Sequence, residues 1–275
     1  MSTKIKRTIL YIAIIILSIL CLCPFLLMMV NATRSGREIM TSFTLIPGNN
    51  LKNNWNTMSG YFNIFRGLVN SLIIAVCCTV LTAYFSALTA YALAIYRFKG
   101  MKVIFVSILI FMMIPAQLGL LGFYDLVNAM GLTDNYIPLI IPAIASPATV
   151  FFLRQYTLAI LPKALLEAAR IDGAGETRIF HKIVLPIIAP GIATMSIGTF
   201  IGSWNNYLTP LILLYSPQKF TLPVMMGSMR ASQDITSNQG AIYLTVAISV
   251  LPIMIAFAFC SKYIISGISA GGIKE

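Results

Sequence analysis

Six stretches of the chain run without a single Asp, Glu, Lys, Arg or His: residues 8–30, 67–94, 103–124, 136–153, 183–208 and 240–261. A helix of roughly 20 mostly apolar residues crosses a hydrocarbon core of about 30 Å, so each stretch is expected to be one span. The pattern predicts an all-α integral membrane fold of six transmembrane helices, forming a single transmembrane domain over residues 1–275. The first run follows Lys4, Lys6 and Arg7, the flank of a secretory signal peptide. It exceeds the apolar core of about 7–15 residues that such a peptide uses, and no small-x-small cleavage site follows before Asn31. It is therefore read as the first span.

Composition agrees. The 275 residues are 58% hydrophobic and 10% charged, against roughly 45–50% and about 25% in soluble domains. This excludes an ordinary soluble protein, and also a disordered chain, which lacks apolar surface to bury. The net charge of +11 raises the question of nucleic acid. A nucleic-acid binder gathers its basic residues on one water-facing surface, whereas here they punctuate apolar runs, so no nucleic-acid partner is expected. With the N-terminus in the cytoplasm, segments 1–7, 95–102, 154–182 and 262–275 hold 13 of the 19 Lys and Arg. The outer segments hold Arg34, Arg37, Lys52, Arg66, Lys219 and Arg230. The positive-inside rule then places both termini in the cytoplasm and three loops outside, at about 31–66, 125–135 and 209–239.

Inside the spans the chemistry is sparse. Cys21, Cys23, Cys77, Cys78 and Cys260 all fall within them and are read as small apolar packing residues, with neither a disulfide nor a metal site expected. The lack of intramembrane charge argues against a proton-driven carrier. Pro138, Pro142 and Pro147 leave two readings open. They free carbonyls that ligate a coupling cation, or they kink a helix whose carbonyls are satisfied by its neighbours. Small residues four apart, Ser86-Ala90-Ala94 and Ala83-Ala87 in the second run and Gly198-Gly202 in the fifth, predict faces where helices approach closely. Gln117, Ser196, Thr199, Trp204, Asn205 and Tyr243 are candidates for a substrate pathway. An aromatic ring beside an amide or hydroxyl suits a sugar, with C–H groups on its faces and hydroxyls at its edge. Their ordinary alternative is an interfacial aromatic belt and hydrogen bonds between helices.

The segment between the fourth and fifth runs is the most informative. It reads LPKALLEAARIDG over residues 161–173, then AGETRIFHK, then IVLP over 183–186. Pro162 suits the first turn of a helix and Gly173 a left-handed C-terminal cap. Leu165, Ala168, Ala169 and Asp172 share one side of that helix and form the expected contact face, while Glu167 and Arg170 are spaced to pair. A second short helix is expected over about 176–182, making a cytoplasmic helix-turn-helix. His181 is read as a solvated surface residue.

That segment carries E-A-A-x3-G-x9-I-x-L-P without a departure, as Glu167, Ala168, Ala169, Gly173, Ile183, Leu185 and Pro186. A chance match is on the order of 10⁻⁸ per start point at ordinary residue frequencies. The pattern resembles the signature of the permease subunits of ATP-binding-cassette importers. Arg154-Gln155-Tyr156 ahead of Leu161-Pro162, Ile171-Asp172-Gly173-Ala174, Phe200 with Trp204-Asn205, Thr221-Leu222-Pro223, and Gly267 through Lys274 are similar to its carbohydrate branch, the maltose and multiple-sugar permeases. The resemblance runs over most of the chain from the second span onward, and favours the maltose-type second permease.

The resemblance implies a type I importer permease fold with a cytoplasmic coupling helix-turn-helix in residues 154–182. It implies a heterodimer with a second permease, two ATP-binding ATPase subunits beneath, and an extracellular or periplasmic sugar-binding protein above, in a bacterial plasma (inner) membrane. ATP and Mg belong to the ATPase subunits: this sequence has no G-x4-G-K-[ST] loop, and no cofactor, metal or enzymatic activity is expected on it. Glu167, Ala168, Ala169, Arg170, Asp172, Gly173, Ile183, Leu185 and Pro186 would couple it to an ATPase. Movement of the coupling helix would rock the spans between inward-open and outward-open states. The outer segment with Arg230, Gln233 and Asp234 would meet the binding protein, and the tail 271–275 the ATPases. The expected function is permeation of a sugar, foremost an oligosaccharide. The alternative is a stand-alone secondary carrier or channel for a small polar solute. A membrane enzyme is disfavoured, since no paired carboxylates, His/Cys cluster or nucleophile–base set marks a site.

Overall fold

The computed structural model describes residues 3–231 and 238–272, and among these it is helical with no strand. In chain order the helices are α1 (Thr3–Asn31), α2 (Gly36–Thr41), α3 (Leu51–Tyr61), α4 (Ile64–Ile95), α5 (Met101–Met113), α6 (Leu120–Ala129) and α7 (Ile137–Ile140). They continue as α8 (Pro147–Ile160), α9 (Lys163–Ile171), α10 (Glu176–Ile179), α11 (Leu185–Trp204), α12 (Leu208–Leu213), α13 (Leu222–Arg230) and α14 (Gln239–Gly272).

Five stretches are long and apolar enough to cross a membrane: Ile5–Asn31, Ile64–Ile95, Ile137–Ile160, Glu176–Trp204 and Gln239–Phe259. They cover five of the six expected spans. The third departs from expectation. Residues 103–124 are not one straight helix, because Met101–Met113 and Gln117–Ala129 are bent by 86°. The cause is Pro115: proline disfavours helical backbone in the residue before it, and Ile114 is extended at φ −82°, ψ 119°. The fourth span runs on to Ile160, seven residues past its expected end. Its entry is broken into α7, a 3-10 turn at Ile141–Ile144, and α8, as three prolines would dictate. The fifth starts early, since α10 runs through a π turn at Phe180–Val184 straight into α11. The expected separate helix at 176–182 is thus the cytoplasmic end of that span, and the loop expected over 154–182 shrinks to residues 161–175.

The chain divides into two compact units, residues 1–68 with 224–252, and residues 69–223 with 253–275. In the first, buried Asn54 donates to the carbonyls of Ala32 (2.8 Å) and Arg34 (2.9 Å). Gly240 lies against the same place, where a Cβ would stand 2.2 Å from the Arg34 carbonyl oxygen. The Arg34 guanidinium, itself buried, donates to the carbonyls of Glu38 and Ser42. It is a cation at the C-terminal end of α2, where the helix dipole favours one.

In the second unit a core of Ala87, Ala90, Tyr91, Leu153, Leu161, Leu166, Ala169, Ile179, Phe180, Val184 and Ile188 joins α4, α8, α9, α10 and α11. The small residues on α4 permit this close packing: Ser86, Ala87 and Ala90 have no exposed surface. Arg154 of α8 donates to the carbonyl of Leu93 near the end of α4 (3.1 Å) and lies 4.1 Å over the Phe105 ring of α5. Gly198 and Gly202, by contrast, are exposed with open space where a Cβ would be, so their spacing serves no contact within this unit.

Candidate functional site

Helix α9 begins at Lys163, with Pro162 as its N-cap rather than in its first turn. It ends in a Schellman motif. The Gly173 amide donates to the Arg170 carbonyl (3.0 Å) and the Ala174 amide to the Ala169 carbonyl (3.0 Å), and Gly173 holds φ +79°, a conformation open mainly to glycine. The two faces of α9 divide cleanly. Leu166 and Ala169 are buried in the core, while Leu165, Glu167, Ala168, Arg170, Ile171 and Asp172 are exposed. This corrects the expected contact face: Ala169 packs inward, and Ile171, 86% exposed, joins Leu165 and Ala168 as apolar surface offered to water. Ile183 and Leu185 pack against the core cluster, and Pro186 is exposed in the first turn of α11. The spacing I-x-L-P thus fixes the far side of the loop to the same core as α9.

The expected Glu167–Arg170 pair does not form. Arg170 turns instead to Glu176, with Nε 2.7 Å and Nη2 3.4 Å from its carboxylate oxygens, and Glu167 stays on the exposed face. The reason is the company Glu176 keeps. Its Oε2 also accepts from the Tyr96 hydroxyl, and from that of Tyr91 at 3.4 Å, while Arg170 lies 5.8 Å over the Tyr96 ring. There Arg170 gains a carboxylate held in place by two hydroxyls and an aromatic face beside it, where pairing along its own helix would give it a carboxylate alone. Nearby, His181 is exposed as expected, with Nδ1 2.8 Å from the Thr177 carbonyl and Nε2 3.3 Å from the Tyr84 hydroxyl.

A cleft of about 520 Å³ opens in the same unit, lined by residues including Thr82, Phe111, Ser146, Thr199, Ser203 and Asn206. Of the expected pathway residues only Thr199 lines it. Trp204 is 2% exposed and stacked on Phe200 at 5.9 Å, so it packs inside the protein rather than facing a path. Asn205 and Gln117 are exposed and Ser196 half-buried, all three away from this lining. Tyr243 belongs to the other unit, where it lines a cavity with Asn31, Arg34 and Thr44. Ser203, Asn206 and Thr82 had no sequence signal beyond being polar in an apolar run. The proline-rich entry is satisfied from α4: Thr82 donates to the Ala143 carbonyl at 2.7 Å and the Cys78 thiol to that of Leu139 at 3.3 Å. Both carbonyls thus have neighbouring donors, which favours the structural reading of the prolines.

A second polar cluster forms around Asp134, between α6 and α7, which holds φ +55°. Its carboxylate accepts from the Ser216 hydroxyl (2.6 Å), the amides of Ser216 (3.0 Å) and Tyr215 (3.2 Å), and Lys219 Nζ (3.0 Å). The Ser216 hydroxyl foremost, then the Ser216 amide, Lys219 and the Tyr215 amide, hold its pKa well below the usual carboxylate range. Asn70 of α4 joins by donating to the carbonyls of Gln218 and Phe220, both at 2.9 Å. An isolated Asp in a short loop carried no sequence signal of this. Arg230, at the end of α13, is exposed; Gln233, Asp234 and residues 273–275 lie outside the described residues.

A family profile described as binding-protein-dependent transport system inner membrane component matches residues 85–269. The chain is 37% identical over 280 residues to the arabinooligosaccharides transport system permease protein AraQ of Bacillus subtilis, covering 98% of this chain and 97% of that protein. It is 30% identical over 264 residues to the diacetylchitobiose uptake system permease protein NgcG of Streptomyces coelicolor, covering 94% and 86%. Its fold is similar to that of a chain in a bacterial transporter that imports the acidic polysaccharide alginate, with TM-score 0.80, 22% identity and coverage of 96% and 99%.

Proposed function

The chain belongs to the family of binding-protein-dependent transport system inner membrane components, the permeases of ATP-binding-cassette importers, and on that premise we propose that it forms half of a path for an oligosaccharide. The two relatives named above are permeases of arabinooligosaccharide transport and of diacetylchitobiose uptake, each matched over most of its length, which supports that substrate class. A second permease completes the path, a soluble binding protein delivers the sugar, and two ATPase subunits, holding ATP and Mg, drive the cycle.

The observation that carries this reading is the two-faced α9. Leu166 and Ala169 tie it to the core, and Leu165, Ala168 and Ile171 leave an apolar platform exposed. Exposed apolar surface in a loop that also carries Lys163 and Arg170 is suited to a protein partner that covers it. Glu167, exposed on that face, supplies a polar contact, and Gly173 stops the helix where the chain turns back to the fifth span. An ATPase seated here moves α9, and the shared core passes the movement to α4, α8 and α11 together, because packed interiors shift as units. The polar wall of Thr199, Ser203 and Asn206 matches what a passing sugar needs: hydrogen bonds without charge.

Reconstitution of this chain with its permease partner, ATPase and binding protein in proteoliposomes tests the proposal. ATP-dependent accumulation of an arabino-oligosaccharide or chito-oligosaccharide, absent without the binding protein, is the expected result. Uptake that needs neither ATP nor the binding protein would establish the secondary-carrier alternative.

A further inference from the structure

One carboxylate, outside every fixed position of the E-A-A-x3-G-x9-I-x-L-P pattern, joins three elements of the transporter. Glu176 opens α10 and, through the π turn, the fifth span. Its oxygens take the guanidinium of Arg170 on α9. They also take the hydroxyls of Tyr91, in the last turns of α4, and of Tyr96 just past its end. The rings enclose the arrangement: Tyr91 lies 5.6 Å from Tyr96 and 5.6 Å from Phe180. Between α9 and α10 the chain is only Asp172-Gly173-Ala174-Gly175, and Gly173 and Gly175 have open space around them. Such a turn is a hinge by composition. Buried Leu166 and Ala169 hold α9 against the core, but apolar contact is non-directional and does not fix the pitch of a helix about its own contact line. Directional bonds do.

Building on the function proposed above, we propose that Glu176 is a positioning residue that fixes the angle of α9 to the second and fifth spans, so that ATPase movement is transmitted to them instead of being absorbed at the Gly173–Gly175 turn. Loss of the carboxylate frees Arg170 and leaves two tyrosine hydroxyls without that acceptor. Helix α9 then pivots while remaining folded and docked, and ATP is hydrolysed with less sugar moved.

The test uses the whole importer in proteoliposomes, carrying Glu176→Ala, Glu176→Gln or Tyr96→Phe, and reads two quantities. The ATP hydrolysed per sugar imported is expected to rise about two- to thirtyfold in Glu176→Ala, the range by which single residues alter coupling, and less in the other two. Amide hydrogen exchange of the turn at residues 172–175, where the Gly173 and Ala174 amides close the end of α9, is expected to rise about tenfold while that of α9 itself stays unchanged, as for a segment that opens locally. An unchanged ratio, or a raised ratio with unchanged exchange, overturns the proposal. If Glu176→Ala fails to assemble, Tyr96→Phe, which removes one hydroxyl and keeps the ring, decides by the same readouts. A parent complex with no ATP-driven uptake overturns the transport function instead, and the exchange comparison still decides the positioning role.

Discussion

Gly191 of α11 faces the ring of Tyr156 on α8 so closely that a Cβ there would stand 2.6 Å from Cδ1. Two spans therefore meet at a point where only hydrogen fits. The contact lies one turn beyond buried Ile188 in the same core that receives α9, so its precision bears on how rigidly the spans move together. Gly191→Ala is expected to force the ring aside at a cost of about 1–3 kcal/mol. A lowered melting temperature of the purified complex, partly restored by Tyr156→Leu, checks it; an unchanged melting temperature would show that the helices separate freely.

Gly173 and Ala168 set the second prediction. At φ +79° proline, whose ring holds φ near −65°, cannot occupy position 173, so Gly173→Pro destroys the Schellman end of α9. Ala168→Trp leaves the helix intact but places an indole on the exposed platform. Both are expected to abolish sugar-stimulated ATP hydrolysis by the reconstituted importer while membrane insertion stays normal. Normal uptake with either substitution would remove α9 from the coupling role.

Asp134 makes a pH prediction. Its pKa in the folded protein is depressed, against about 3.9 for a free side chain. Its contribution to stability is therefore fully present above about pH 4 and is lost as pH falls from there toward its folded pKa. Asp134→Asn is expected to lower the melting temperature equally at pH 6 and pH 8. The gap to the parent should narrow below pH 4. A gap that instead closed between pH 6 and pH 8 would point to another titrating group.

Thr82 serves the proline-broken entry of the fourth span. Thr82→Val keeps the shape but leaves the Ala143 carbonyl without its 2.7 Å donor, an expected loss of about 1–3 kcal/mol. Thr82→Ser, which keeps the hydroxyl, is expected to restore most of it. Unfolding of the purified permease pair in detergent would resolve the two; equal stability of Val and Ser variants would mean that the bond carries nothing.

Five of the spans, and the left-handed Gly173, were legible from residue pattern because each depends on neighbours along the chain: length of apolar run, absence of charge, a glycine after a helical turn. The 86° bend of the third run was not legible at Pro115, since a proline within an apolar run is compatible with a straight, a kinked or a broken helix, and periodicity does not separate them. Trp204 read equally well as a pathway ring or a packed one, and only its stack on Phe200 distinguishes them.

What the sequence by itself determined is the membrane, the number of its apolar runs, the uneven charge of the segments between them and the E-A-A-x3-G-x9-I-x-L-P pattern at residues 167–186. All of these follow from local composition, which the bilayer and the backbone read directly. The tertiary structure alone decided which face of α9 is outward, with Ala169 turned in and Ile171 turned out, and which carboxylate holds Arg170. Helix spacing names the residues near enough to pair along one helix. A choice between Glu167 and Glu176 depends on where Tyr91 and Tyr96, some 80 residues away in the chain, bring their hydroxyls. That competition is settled by packing between helices, and no pattern of neighbours in the chain records it.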